Sequence, residues 1–264
     1  MTETRKRELL RQLVRTLCSE RAIDPPETSD VSELWTAFRA LVNTRLAIPA
    51  GEKFFSLQDE LLQGMIAEAG IHAPAEATPA PGDSRLCLWR GDITTLEVDT
   101  IVNAANSQLL GCWVPGHYCI DNAIHTFAGV QLRAECARLM DAQGYEEPTG
   151  QAKITPAYNL PAKYVLHTVG PIVSGRPTPH QKEQLASCYR SCLDLAAAHG
   201  LTSVAFCCIS TGVFGFPQKE AACIAVDTVR AWLDEHRSAS AGLTVVFNVF
   251  LAEDQAIYEE LLGI

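Results

Sequence analysis

Cys112, His117 and Cys119 lie within one short stretch, "GCWVPGHYCIDNAIH" (Gly111–His125), with the spacing C-x4-H-x-C. Thiolate sulfur and imidazole nitrogen are the donors that Zn²⁺ prefers, and Pro115 with Gly116 lets the intervening chain fold its side chains toward one point. A structural zinc takes four protein ligands. No fourth is near in sequence: Cys136 falls far along a predicted helix, on its packed side, and His125 is more than a turn further on, so both are read as packing residues. Three ligands leave one coordination position open, as catalytic zinc sites do. On spacing alone the same residues serve equally as buried packing groups or as an oxidisable loop.

A second stretch with chemical capacity is "STGVFGFP". Ser210, Thr211, Gly212, Val213, Phe214 and Gly215 offer hydroxyls and unobstructed backbone N–H groups ahead of a helix, a seat for phosphate or pyrophosphate. The plainer reading is a strand-to-helix turn. "GDIT" places Asp92 and Ile93 after a strand, where the carboxylate either accepts from a ligand amine or caps a turn. "NAAN" and "HTVGP" close two further apolar runs, and His167 of the latter is read as orienting a strand end.

Such loops need a frame. From Arg85 onward, short apolar β-branched runs ("RLCLWRG", "VDTIVNAA", "KYVLHTVG", "SVAFCCIS", "LTVVFNVFL") alternate with helical stretches, among them "IDNAIHTFAGVQLRAECARLM". Strands of near-continuous hydrophobicity separated by helices predict an α/β domain with a largely parallel sheet covered on both faces. In such sheets, ligands sit at the carboxyl ends of the strands, where these loops emerge. Residues 1–71 read as a helical extension: Val31, Leu34, Trp35, Phe38, Leu41 and Val42 form one stripe behind a capping-box-like Asp30 and Glu33. Another helix is expected from an N-cap at Ser56 to a stop at Gly70, and the Ala/Pro-rich residues 72–84 read as a semi-extended linker before the domain at 85–264.

Composition narrows the partners. With 264 residues, 47% hydrophobic and 20% charged, the chain can bury a full core. A net charge of −10 argues against nucleic acid or an anionic membrane as partner, while still allowing a small anion held by backbone amides. No segment reaches the roughly 18–20 unbroken apolar residues of a membrane span, and the N-terminus lacks a signal-peptide core. The ten scattered cysteines then suit a reducing cytoplasm, where they pack, bind metal or catalyse.

Taken in order, "GDIT … VNAAN … CIDNAIH … HTVGP … STGVFGFP" resembles the macrodomain family of ADP-ribose-binding modules over about two thirds of the chain. The resemblance implies a three-layer α/β/α fold with a mixed, largely parallel central sheet. It implies that Asp92, with Ile93 beside it, holds the adenine amine, and that Ser210 to Gly215 wrap the diphosphate with Phe214 bordering the distal ribose. Asn106 reaches that ribose, Asn103 and Ala104 line the same strand end, Asp121 sits where hydrolytic members carry an aspartate, and Ile120 beside it is expected to contact the ligand. Most such members have a run of glycines where this chain has "LLGCWVPGHYCIDN". That departure resembles the zinc-containing subclass, which also carries a helical N-terminal extension and is linked to removal of ADP-ribose from proteins.

The expectation is therefore a hydrolase that removes mono-ADP-ribose from protein side chains. Asn106 and Asp121 are its catalytic residues, and Cys112, His117 and Cys119 hold one zinc per chain with an open position. The metal either acidifies water or aligns ribose hydroxyls. The alternatives are a reader of ADP-ribosylation that performs no chemistry, and a hydrolase of small derivatives such as O-acetyl-ADP-ribose or ADP-ribose 1″-phosphate. A turnover assay across such substrates separates them.

Overall fold

A computed structural model of the chain describes residues 1–237 and 242–264. Three helices come first: α1 (Glu3–Ser19), α2 (Val31–Asn43) and α3 (Glu52–Ala69). Their apolar stripes close a small core of their own around Leu10, Leu13, Leu34, Phe38 and Leu61. Asp30 caps α2, its carboxylate accepting from the Ser32 and Glu33 amides, but Glu33 accepts from the Thr28 hydroxyl instead of closing a capping box. α3 begins a turn before Ser56, with Gly51 at its N-cap, because Phe54 belongs to the same buried core and draws that turn into the helix.

Residues 72–84, expected as a linker, join the sheet. A 3₁₀ turn at Pro74–Glu76 leads into the edge strand β1 (Thr78–Ala80), which pairs antiparallel with β2 (Asp83–Arg90). Pro79 is tolerated there because an edge strand does not need every N–H for the ladder. The remaining strands are β3 (Thr100–Ala105), β4 (Ala152–Pro156), β5 (Tyr164–Val169), β6 (Ser203–Phe206) and β7 (Thr244–Val249). They form one seven-stranded sheet in the order β1-β2-β7-β6-β3-β5-β4, with the five inner strands parallel and both edges antiparallel.

Helices cover both faces, which is why β6 is buried throughout and β3 nearly so. α6 (Pro179–Ala198), α7 (Gln218–Glu235) and α8 (Ala252–Leu262) pack together, and α4 (Ile120–Ala128) pairs with α5 (Val130–Gln143). The sequence suggested one helix across α4 and α5. Gly129 breaks it at φ +96°, where the Gln58 side chain accepts from the Val130 amide and leaves no room for a Cβ. Among the described residues, no helix is long and apolar enough to cross a membrane.

Asp99 ties the amino ends of the sheet together. Its carboxylate accepts from Lys163 Nζ at 2.6 Å and from the Thr202 amide and hydroxyl at 2.6 and 2.7 Å. Burial pushes this carboxyl up, yet those hydrogen bonds outweigh it and hold the group down at about 2. A carboxyl depressed on folding stabilises the protein above its ordinary pKa of 3.8 and loses that contribution as pH falls through 2. Acid titration of unfolding is expected to show a loss of about 2 kcal/mol over that window, absent in Asp99→Asn.

Candidate active site

The loops that leave the carboxyl ends of β2, β3, β5 and β6 meet along one edge of the sheet. After β2, Asp92 caps a single 3₁₀ turn (Ile93–Thr95), accepting from the Thr94 amide at 2.9 Å and its hydroxyl at 2.7 Å. Its side chain is exposed and Ile93 is buried beneath it. Asp92 is thus a turn cap in this structure, with its outer oxygen free to accept from a ligand amine.

The loop after β6 folds back on itself. Phe216 N donates to Ser210 O, Gly215 N to Gly212 O, and Val173 N to Phe214 O, at 2.9, 3.0 and 2.7 Å. These bonds leave the amides of Gly212, Val213 and Phe214 without a partner among the described residues. Ser210 lies in the left-handed region at φ +66°, and its hydroxyl is buried with no partner among the described residues. Gly170, following β5, makes room for it, since a Cβ there would come within 2.0 Å of Ser210 Oγ. The free amides belong to the turn and not to α7, which starts only at Gln218. An orphaned hydroxyl beside unused amides is the environment a diphosphate satisfies.

At the other end of this edge stand the residues following β3. Asn103, fully buried in β3, donates to Asp121 Oδ1 at 2.8 Å. Asn106 leans toward the other carboxylate oxygen at 3.4 Å and donates to Gly111 O at 3.1 Å. Asp121 occupies the first turn of α4, behind half-buried Ile120. Burial pushes its carboxyl up to about 6, against the Asn103 hydrogen bond and the positive charge of Arg133. His125, one turn on, places Nε2 3.6 Å from Asp121 Oδ1.

Cys112, His117 and Cys119 are brought together, each offering one ligand atom within 4.8 Å of the others. Cys112 Sγ lies 3.5 Å from His117 Nδ1. Zinc bonds of about 2.3 Å to sulfur and about 2.0–2.1 Å to nitrogen at a tetrahedral angle put S and N about 3.5 Å apart, so the pair matches. Cys119 is the N-cap of α4, its sulfur accepting from the Asn122 amide at 3.4 Å. Burial pushes this thiol up to about 12, aided by Cys112 at its side, an arrangement that a soft cation relieves. Among the described residues no fourth side chain joins the three.

His125, Cys136 and His167 form a second, fully buried group. Asn103 Nδ2 donates to His167 Nδ1 at 3.2 Å, so the opposite nitrogen carries the proton and donates to Thr155 Oγ1 at 2.9 Å. The lone pair a metal needs is thereby engaged, and burial holds this imidazole neutral, down at about 3. Sequence reasoning passed over Arg133, whose buried guanidinium donates to Leu110 O at 2.6 Å and acts on Asp121. Its only signal was a cation next to Leu132 in an otherwise apolar stripe.

The pattern of the Macro domain family matches residues 102–225. A protein-ADP-ribose hydrolase of Treponema medium is 50% identical over 266 residues, covering 100% of both chains. A protein of the same name from Staphylococcus aureus (strain MSSA476) is 49% identical, covering 88% of this chain and 86% of its own. The crystal structure of a Trypanosoma brucei macrodomain in complex with ADP-ribose superposes with a TM-score of 0.64 at 34% identity, over 85% of this chain and 95% of that one. Matched end to end by such a relative, and with the fold and loops described above, the chain belongs to the macrodomain family.

Proposed function

We propose that this chain is a hydrolase that releases mono-ADP-ribose from modified protein side chains, with a zinc ion held by Cys112, His117 and Cys119. The reading rests on one observation above all. A buried carboxyl, Asp121, is fixed by Asn103 and Asn106 close in the chain to a Cys–His–Cys set with no fourth side-chain ligand among the described residues. A reader of ADP-ribose has no use for either. The names carried by the relatives and the ADP-ribose held by the trypanosomal macrodomain support the substrate.

In the bound state, Asp92 accepts from the adenine amine, the amides of residues 212–214 and the Ser210 hydroxyl take the diphosphate, and Phe214 borders the distal ribose. This binding energy, remote from the reaction, orients C1″ toward Asp121. Water adds to C1″ as the bond to the protein side chain breaks; Asp121 takes the proton from that water, and that proton then passes from Asp121, directly or through solvent, to the departing side chain, restoring the carboxylate. Asn103 and Asn106 hold the carboxylate so that it faces the reacting carbon. The cation, when bound, supplies Lewis acidity at this end of the cleft. Free thiols at all ten cysteines fit a reducing compartment, the cytoplasm.

Incubation with a mono-ADP-ribosylated protein is expected to release ADP-ribose. A chelator should lower the rate by about 10²-fold or more, and added zinc should restore it. Calorimetric affinity for free ADP-ribose should change far less. Binding without turnover overturns the hydrolase reading, and turnover indifferent to chelator overturns the metal.

A further inference from the structure

The segment that carries the three candidate ligands has little backbone structure of its own. Between Cys112 and Cys119 the described backbone pairing is His117 N to Val114 O at 3.2 Å. Much of what holds the segment comes from α2. Asn43, the last residue of α2 and fully buried, accepts from Gly116 N at 3.0 Å and donates to Thr126 Oγ1 at 2.9 Å. One turn earlier, Arg39 donates to His117 O at 3.3 Å and to Asn122 Oδ1 at 3.1 Å, and its guanidinium lies 5.1 Å from the centre of the Tyr118 ring. Asn122 in turn donates to Val114 O at 3.2 Å.

Arg133 joins the two bodies from the other side. It donates to Val42 O and Asn43 O at the end of α2, and to Leu110 O at the head of the segment. It also stacks 4.3 Å from the centre of the Trp113 ring. α2 is a rigid support: Leu34, Phe38, Leu41 and Val42 are buried in the helical core, and Trp35 packs on Phe127 of α4 at 5.7 Å.

We infer that α2 is part of the metal site: Arg39 and Asn43 are positioning residues that hold residues 112–119 in the shape that points Cys112, His117 and Cys119 at one cation. This rests on the zinc reading above. The physical reason is ordering. A segment free to sample many conformations must lose that freedom when a cation binds, whereas one already pinned at Gly116, His117 and Tyr118 has lost it on folding. Groups that orient metal ligands without touching the metal typically change affinity by about 10–100-fold when removed.

The test uses the full chain and zinc itself. Zinc Kd, measured by competition with a chromophoric chelator, is expected to rise about 10–100-fold in Arg39→Ala and in Asn43→Ala. Asn43→Asp, which keeps the acceptor for Gly116 N, should recover most of the loss. Cobalt(II) loaded in place of zinc should show a weakened and shifted absorption in both alanine variants. Hydrogen exchange on the metal-free parent keeps the inference falsifiable should the variants misfold: the Gly116 amide should be protected. An unprotected amide, or variants that fold and bind zinc with unchanged Kd, overturns the inference and leaves the zinc reading standing. A parent that binds no zinc overturns both.

Discussion

Replacing Cys119 by alanine is expected to lower release of ADP-ribose from a modified protein by about 10²–10⁴-fold. A Lewis acid at a reacting centre contributes several kcal/mol, and each 1.36 kcal/mol is tenfold in rate. Cys112→Ala and His117→Ala should behave alike, because two ligands hold zinc far less well than three. Cys119 has a second role, since its sulfur accepts from the Asn122 amide at the N-terminus of α4. Cys119→Ser separates the two roles: serine caps a helix better than cysteine but is a poor zinc ligand, so this variant should melt no lower than the metal-free parent and still be inactive. Metal analysis, melting temperature and a turnover assay on the four variants and the parent provide the comparison. Parental turnover in a zinc-free variant refutes the metal mechanism.

The second large effect is expected at Asp121. Asp121→Asn keeps the shape of the side chain and its place beside Asn103, but removes the carboxylate proposed to take the proton. Loss of a positioned base costs about 10²–10⁴-fold in turnover, read in single-turnover assays, while free ADP-ribose should bind within a few-fold of the parent. Stability should move the other way. Burial pushes this carboxyl up to about 6, so its ionisation opposes folding above pH 6, and the opposition disappears as pH falls below about 4. The neutral amide carries no such cost, and in chelator at pH 7.5 the variant is expected to melt at or above the parent. Turnover at the parental rate, with zinc content intact, excludes Asp121 as the base.

Much of the fold was legible because it follows from local patterns. The runs that became β2, β3, β5, β6 and β7 are apolar on both sides, as strands covered by helices must be, and the stripe from Val31 to Val42 has helical spacing. Elements set by distant partners were not legible. β4, an edge strand with only partial burial, gives no run to notice; β1 hides in an Ala/Pro-rich stretch and is a strand only because β2 lies alongside it. The division between α4 and α5 depends on Gln58, 72 residues away in the chain.

The candidate site divides in the same way. By itself the sequence determined which chemistry is on offer: two thiols and an imidazole in one short segment, a carboxyl two residues on, and a glycine-rich turn after a buried strand. Residue types and their spacing are local properties that survive in an unfolded chain. Only the tertiary structure decided that Asn103 grips Asp121, that Gly170 leaves Ser210 its space, and that the segment with the candidate metal ligands hangs from Arg39 and Asn43 of an N-terminal helix. Those contacts join residues from 18 to 78 positions apart, and no periodicity encodes them. They arise when separate apolar faces are buried together and the polar groups carried inward must find partners.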